Sequence, residues 1–369
     1  MNSNLAPMLD SQTATEETFF AQTNLVSDGF VPAAQIDQKL INPWGVAFGA
    51  NGPFFIADNG TGLATSYNPA GAPLKIAGQS AITIAVPPRQ TSAASPTGEV
   101  FNSSGTGFDI TRGGKTAPST LIFVTEDGTI SGWNPAVNKN KSIRAVDNSR
   151  GGAGAVYKGA AIGQTDEGPR LFVANFRNGK VDEFNQHFKQ VNSFTDPNVP
   201  KGYAPFDVAV LDGHLFVTFA LQNAAKHDDV SGPGHGFVDE FSLEGQLLHR
   251  VASHGVLNSP WGLAIAPPSF GTFANDLLVG NFGDGTINVF NPQTDQFLGK
   301  LEDAHGAPIV IGDLWTITPG GGGIGGDPNK IYFTAGVQAE SHGLFGSLSA
   351  IPDPNHSTLA MSTSHPSFG

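Results

Sequence analysis

The chain has 369 residues, a formal net charge of −13 and no cysteine, and only 14% of its residues are charged. Nucleic-acid-binding surfaces are normally basic, so this balance argues against nucleic acid and against anionic lipid as partners. The lack of cysteine excludes disulfides, thiolate metal ligands and a cysteine nucleophile. The 47 glycines, 26 prolines and 27 phenylalanines favour many short strands joined by tight turns.

Both ends of the chain are polar. Residues 1–20 lack the basic start and the apolar run of a signal peptide. No stretch approaches 18 apolar residues, so we expect no membrane insertion. We predict a flexible N-terminal segment over 1–20, one domain over 21–352 and a flexible tail over 353–369.

A repeated phrase runs through the middle of the chain. Its first half is clearest in Pro43-Trp44-Gly45 and Pro260-Trp261-Gly262, and its second half in Leu171–Asn175 and Leu277–Asn281. Each second half precedes a glycine-containing turn and a further strand pattern. Strand-built repeats of about 40–50 residues indicate a propeller or a solenoid.

Six copies of the repeat can be aligned on the tryptophan position. The aligned residues are Trp44, Phe108, Lys158, Phe206, Trp261 and Trp315. The Lys158 copy departs most from the pattern. Dipeptides such as Asp127-Gly128 and Asp284-Gly285 favour tight hairpins inside the copies. The sequence therefore predicts an all-β, six-bladed β-propeller, with the first strand of each copy nearest the central axis.

The ring needs a closing strand. The sixth copy ends after Leu344–Ile351, one strand short, and Asn24–Val26 precedes the first copy without a place of its own. An unpaired sheet edge is a liability. We therefore predict that the N-terminal segment forms the outer strand of the sixth blade.

Three inserts interrupt the repeat, at Pro87–Glu99, Gln222–Gly236 and Gly320–Gly326. Loops on a rigid ring are natural places for function. The second insert carries the most reactive side chains, including His227, Asp228 and His235.

Several phrases together resemble a known family. They include His227-Asp228-Asp229-Val230, Pro260-Trp261-Gly262-Leu263, Leu278–Gly285 and Tyr332–Gly336. Over roughly residues 22–351 the chain resembles largely uncharacterised bacterial propellers, many associated with PEP-CTERM exosortase export. The resemblance implies a six-bladed propeller in an extracellular or periplasmic location, distantly similar to NHL-repeat and lactonase-type propellers. It carries over no catalytic residue.

Oxygen ligands follow the second strand in alternate copies. The residue after the apolar core of that strand is Asp58, Asn175 or Asn281 in copies one, three and five. Such side chains are ligands for Ca²⁺, and the calcium-dependent lactonase propellers that this architecture resembles bind metal near the channel. The alternative is that Asp and Asn simply start tight turns.

Two further carboxylates are candidates for the channel. Asp109 and Asp207 each follow a phenylalanine on an expected innermost strand. We expect Asp109 to extend the metal site and Asp207 to activate water. Hydrogen bonding to the backbone of a neighbouring blade is the alternative role for both.

Histidines provide a different type of metal site. His227 and His235 share one insert and are candidate ligands for copper or zinc. His342, close to Glu340 in the chain, is a candidate general base. A solvated loop side chain is the alternative for each of them, as it is for His254 and His305.

Three functions remain open at this point. The first is a metal-dependent hydrolase of lactonase or esterase type, acting on a small molecule at the mouth of the central channel. The second is a non-catalytic extracellular scaffold that holds a protein or glycan. The third is a copper or other redox site built from loop histidines. We expect a monomer in each case.

Overall fold

The computed structural model describes residues 18–75, 82–89, 93–150, 152 and 154–352. Strands dominate these residues, and none of the helices among them is long and apolar enough to cross a membrane. The strands in chain order are β1 (Phe19–Ser27), β2 (Gln35–Ile36), β3 (Pro43–Ala47), β4 (Phe54–Asp58), β5 (Leu63–Tyr67), β6 (Thr83–Ala85), β7 (Pro96–Phe101), β8 (Asp109–Arg112), β9 (Lys115–Pro118), β10 (Leu121–Thr125), β11 (Thr129–Trp133), β12 (Ile143–Asp147), β13 (Tyr157–Thr165), β14 (Gly168–Asn175), β15 (Lys180–Asn185), β16 (Gln190–Phe194), β17 (Tyr203–Leu211), β18 (His214–Leu221), β19 (Phe237–Phe241), β20 (Leu247–Ser253), β21 (Pro260–Ile265), β22 (Leu277–Asn281), β23 (Ile287–Phe290), β24 (Phe297–Lys300), β25 (Leu314–Pro319), β26 (Ile331–Ala335) and β27 (Leu344–Ile351). Two short 3-10 helices span Gly271–Phe273 and Gly323–Gly325.

Six sheets of four or five strands form the blades, which confirms the predicted six-bladed all-β propeller. From the axis outwards they are β3-β4-β5-β6, β7-β10-β11-β12, β13-β14-β15-β16, β17-β18-β19-β20, β21-β22-β23-β24 and β25-β26-β27-β1-β2. Neighbouring innermost strands contact one another around the ring, as β3 does β7 and β21 does β25.

The N-terminal strand closes the ring as predicted. Strand β1 pairs antiparallel with β27, from Phe19 opposite Ile351 to Ser27 opposite Leu344. The strand begins before the predicted domain boundary at residue 21, because Phe20 is buried against Phe270 with ring centroids 4.7 Å apart. Residues 1–17 and 353–369, which we expected to be flexible, lie outside the described residues.

The second blade differs from the prediction. Its innermost strand is β7, so the repeat phrase is Pro96-Thr97-Gly98, and the alignment on Phe108 was wrong. Asp109 instead begins β8, in an exposed hairpin beside the blade. The insert expected at Pro87–Glu99 thus contains the start of an innermost strand. The pair Phe108-Asp109 imitated Phe206-Asp207, while threonine in the tryptophan position concealed the real phrase.

The core lies between the blades. Every residue of β10 is buried, because both faces of its blade are covered by neighbouring blades. Leu121 and Phe123 pack towards the first blade, and Ile122 and Val124 pack towards the third. Side chains of successive residues therefore enter different interfaces, as strand geometry requires.

Candidate functional site

Aromatic rings close one end of the central channel. They come from the first residues of the innermost strands and are Trp44, Phe206, Trp261 and Trp315. Trp44 and Trp315 stack with ring centroids 3.6 Å apart, and Phe206 meets Trp261 edge-on at 4.9 Å. We call this group the aromatic plug. The two remaining positions in the ring of six hold Thr97 and Lys158.

Lys158 is a buried cation in the aromatic plug, with only 1% of its surface exposed. Its Nζ lies 4.8 Å from the ring centroid of Trp44 and donates a 2.5 Å hydrogen bond to Glu126 Oε1. Asp228 Oδ1 lies 3.8 Å from the same nitrogen. Burying a charge is costly unless it is paired, so the ammonium needs both the rings and the carboxylates around it.

A carboxylate–imidazole cluster lies beside this lysine. Glu126 follows β10, and His227 and Asp228 come from the loop between β18 and β19. The Nδ1 atom of His227 is 2.7 Å from Asp228 Oδ1 and 4.0 Å from Glu126 Oε1. One ligand atom from each residue lies within 4.8 Å of the other two. These three groups can hold one cation.

Asparagines connect the cluster to a further carboxylate. Asn59 donates to Glu126 Oε2 at 3.2 Å, and Asn42 donates to Glu340 Oε2 at 2.8 Å. The side-chain oxygen Oδ1 of Asn42 accepts a 3.0 Å hydrogen bond from Trp315 Nε1. The plug and both carboxylates thus belong to one hydrogen-bonded network. We call this region the polar mouth, comprising Asn42, Asn59, Glu126, Lys158, His227, Asp228 and Glu340.

The loop that presents Glu340 has an unusual backbone. Gln338, Ala339 and Glu340 have φ angles of 62°, 52° and 62°. Three successive non-glycine residues in the left-handed region cost free energy that the surrounding contacts must offset. Such local strain is typical of functional sites, and here it brings Glu340 to Asn42.

The acidic groups in and beside the polar mouth have pKa values shifted in opposite directions. The hydrogen bond from His227 lowers the pKa of Asp228, and the same bond raises the pKa of His227. Burial raises the pKa of Glu340 and of Asp229. The ionised form is thus favoured for one carboxyl group and the protonated form for others close by, an arrangement that acid–base chemistry uses.

The three strand-end residues expected to bind calcium lie in other places. Asn175 donates to Asp182 Oδ2 at 2.8 Å, and Asn281 donates to the Val256 carbonyl at 2.8 Å. Asp58 is fully buried beside Thr65 of the same blade. Burial raises the pKa of Asp58 well above its usual range. The three side chains lie in three different blades and do not converge on one metal site.

In each copy, the residue at the mouth is the one that follows the strand-end residue considered in the sequence analysis. These residues are Asn59, Glu126, Phe176, Ala220, Phe282 and Gly336. Side chains alternate along a strand, so a shift of one residue changes the face to which a whole set belongs. Phe219 and Ala335, from the earlier set, lie instead in the cores between blades. A sequence argument using this alternation would have found Glu126.

The other histidines named in the sequence analysis, as far as the structure describes them, are not brought together. His235 and His254 each use Nδ1 to contact a backbone oxygen, of Val230 at 2.8 Å and of Gly234 at 2.7 Å. His342 pairs with Asp28 at 2.6 Å and stacks on Phe30, so it is engaged by the N-terminal segment. His305 lies in an exposed turn. Within the described residues, the one cluster with metal-ligand spacing contains a single imidazole.

Sequence reasoning overlooked Lys158 and Glu126. The signal for Lys158 was available, because it breaks an aromatic position in the repeat. We interpreted that departure as a weak copy. An ammonium group does not contribute to the aromatic packing that the repeat provides at this position. The lysine was therefore the signal by which the sequence could have indicated this site.

The fold and the site define a β-propeller with a polar mouth above an aromatic plug. The chain belongs to a family that includes two proteins of Acanthamoeba polyphaga mimivirus. One is "Uncharacterized protein L690", 31% identical over 333 residues, covering 88% of this chain and 84% of that protein. The other is "Uncharacterized protein R648", 31% identical over 331 residues, covering 88% and 78%. These relatives do not support the expected link to bacterial PEP-CTERM export, and no protein-family model matches.

Solved structures show the same architecture. A streptogramin B lyase has a TM-score of 0.53 at 10% identity, over 90% of this chain and 98% of that chain. The virginiamycin B lyase from Staphylococcus aureus has a TM-score of 0.50 at 14% identity, over 91% and 100%. At such identities the likeness shows the fold alone.

Proposed function

We propose that the polar mouth is the active centre of a divalent-cation-dependent hydrolase that opens lactones or related esters. The observation that carries this proposal is the convergence of Glu126, His227 and Asp228 within 4.8 Å, next to the buried ammonium of Lys158. A divalent ion bound there would polarise an ester carbonyl and make water more acidic.

The ligand chemistry favours an ion that accepts nitrogen as well as oxygen. One imidazole and two carboxylates suit Zn²⁺ or Mn²⁺. Calcium takes six to eight oxygen ligands, so an imidazole in the cluster is against it. A copper site would be expected to draw on several imidazoles, and only His227 lies in the cluster among the described histidines.

Two residues have roles beyond holding the cation. Lys158 donates to Glu126 and so fixes the orientation of that carboxylate, which makes it a positioning residue. Glu340 is half-buried, and its raised pKa suits it to hold a proton and deliver it to a leaving alkoxide. Glu340 thus replaces His342 as the proposed acid–base group, because His342 is engaged by Asp28 and Phe30.

The charge of the mouth limits the substrates. Four carboxyl groups, those of Glu126, Asp228, Asp229 and Glu340, surround the one lysine. Lys158 is already paired with Glu126 and offers no free ammonium to a substrate carboxylate, so we propose uncharged cyclic or aliphatic esters. The alternative of a non-catalytic scaffold for a protein or glycan has no comparable geometric support in the mouth.

The test combines metal analysis with a substrate panel. Purified protein is stripped with EDTA, reloaded with Mg²⁺, Ca²⁺, Mn²⁺, Zn²⁺ or Cu²⁺, and assayed on uncharged lactones and esters. We expect one equivalent of bound ion and activity that requires it. Glu126→Gln and Asp228→Asn should each weaken metal affinity by about 10–100-fold. Glu244→Gln, at an exposed residue of another loop, is the matched control.

Three results would change the conclusion. If neither bound ion nor activity is found, the hydrolase proposal fails and the non-catalytic scaffold becomes the favoured function. Elimination products in place of hydrolysis products would reassign the site as a lyase. Metal binding that survives Glu126→Gln and Asp228→Asn unchanged would place the ion elsewhere in the protein.

A further inference from the structure

The opposite end of the central channel is an open cavity. Its volume is about 470 Å³, within the range of small-ligand pockets. All six innermost strands contribute to the wall, and Trp261 of the aromatic plug lies among the lining residues. Most of the lining residues are apolar, such as Val46, Ile162 and Leu263, and polar atoms share the exposed wall with them. This cavity is separated from the polar mouth by the plug.

A buried carboxyl group without a partner lies in this wall. Glu99, on β7, is 5% exposed, and neither of its carboxyl oxygens has a hydrogen-bond partner among the described residues. Buried polar groups in native proteins are nearly always paired, so an unpaired one calls for an explanation. A ligand that supplies the missing donors is the explanation most consistent with a position on a cavity.

A second carboxyl group lines the same cavity from the fourth blade. Asp207 lies over the innermost strand of the third blade, where Gly159 makes room for it. A Cβ atom on Gly159 would come within 1.8 Å of Asp207 Oδ1. The glycine therefore lets this carboxyl group reach across a blade. Glu99 and Asp207, from the two blades on either side of the third, thus both line one cavity.

The lining carries charge of one sign. Among the described residues that line it, the ionisable ones are Glu99, Asp207 and the exposed rim residue Asp212, with no lysine, arginine or histidine. Carboxylates bind ammonium groups through charge-assisted hydrogen bonds, and a tryptophan face adds a cation–π contact. The apolar wall suits a hydrocarbon body. We propose that the channel binds a small organic ammonium ion, a primary amine with a compact apolar substituent, through Glu99 and Asp207.

Ligand binding at this site should release a proton. Burial raises the pKa of Glu99 and of Asp207 well above the usual range, and the nearby Asp58 on β4 adds to the effect on Glu99. No basic lining residue opposes this. An ammonium ion requires an ionised partner, so the carboxyl group gives up its proton on binding. Affinity should therefore rise with pH, as long as the amine itself stays charged.

The experiment is a calorimetric titration of the full chain with benzylamine, with benzyl alcohol as the uncharged probe of equal shape. We expect saturable binding of benzylamine alone, about tenfold weaker in Glu99→Gln and in Asp207→Asn. Titration in two buffers of different ionisation enthalpy should show proton release. The control variant Glu126→Gln, in the polar mouth, should bind benzylamine as the unmodified protein does.

The substitutions are chosen to leave the fold intact. Glutamine and asparagine have the shapes of the protonated carboxyl groups that they replace, and circular dichroism confirms folding before titration. Equal affinity for amine and alcohol, no binding of either, or unchanged affinity in both channel variants would overturn the proposal. Because the hydrolase assay depends on Glu126 and this titration does not, failure of one leaves the other interpretable.

Discussion

The polar mouth and the open channel are both acidic, yet they hold their acids in opposite ways. In the mouth, Glu126 accepts from Lys158 and Asn59, and Asp228 is paired with His227. In the channel, Glu99 is buried with no such donor among the described residues. The supply of donors, rather than the residue type, decides which carboxyl groups carry charge. The mouth is therefore suited to a metal ion and the channel to a ligand that brings its own donors.

Lys158→Met gives the largest expected effect, because it removes the buried ammonium that is paired with Glu126. Glu126 would stay mostly buried with no ammonium beside it. We expect the free energy of unfolding to fall by about 3 kcal/mol, measured by urea denaturation. Adding Glu126→Gln to this variant should recover most of the loss, since a neutral pair needs no counter-charge.

An exposed lysine provides the control for that cycle. Lys180 is 38% exposed, and its Nζ lies 4.0 Å from Asp182. We expect Lys180→Met to cost roughly 0–1 kcal/mol. If the losses in free energy of unfolding caused by Lys158→Met and Glu126→Gln simply add, the ion pair does not stabilise the polar mouth. The proposed difference between the paired carboxylates of the mouth and the unpaired one of the channel would then be wrong.

The substitution Glu99→Gln tests the channel, and we expect it to increase the free energy of unfolding. A raised pKa in the folded state means that the native protein holds this proton to higher pH than the unfolded chain, so stability falls as pH rises above about 4.3. Glutamine avoids that loss. At pH 7.5 we expect a gain of about 1–2 kcal/mol in thermal or urea unfolding.

The pH dependence distinguishes this gain from a general packing effect. Below about pH 4 the glutamate is protonated in both states, and the advantage of the variant should vanish. Glu244→Gln, at an exposed position, should show no difference at either pH. A Glu99→Gln variant that is less stable at pH 7.5 would mean that Glu99 is ionised and paired in the folded protein.

The smallest expected effect is a change in the titration of His227. Its pKa is raised chiefly by the hydrogen bond to Asp228, 2.7 Å away. Asp228→Asn removes the negative charge, so the pKa of His227 should fall towards about 6.5, as followed by NMR of the ring protons against pH. Asp303→Asn, just before the turn that contains His305, should leave it unchanged. An unaltered His227 titration in the Asp228 variant would show that another group sets its charge.

The repeat made the architecture predictable. Phrases such as Pro43-Trp44-Gly45 recur because every blade must pack against its neighbours in the same way, and local strand and turn preferences agree with that packing. Ring closure by β1 followed from counting strands against the need to pair an open edge. The second blade was misaligned at Phe108, since the real phrase has Thr97 in place of the usual aromatic residue, and the Thr97 hydroxyl contacts the Val124 and Tyr157 carbonyls.

The candidate site was less accessible to sequence reasoning. The insert containing His227 and Asp228 was recognised as a source of functional groups, but its partner Glu126 is 101 positions away in the chain and belongs to another blade. The strand-end residues were taken one position too early, at Asn175 and Asn281. Neighbouring residues of a strand point to opposite faces of the sheet. The sequence pattern alone did not specify which of the two neighbours lies at the channel mouth.

The sequence by itself determined the class of fold, the number of blades and the way in which the ring closes, because these depend on a pattern that each blade repeats locally. Only the tertiary structure decided which polar groups share a space. Lys158 reaches Glu126 and Asp228 since three different blades converge on the channel, and Glu99 lacks a donor since the strands around it are apolar. Charge and pKa depend on neighbours in space, and a closed ring brings together residues that the chain keeps far apart.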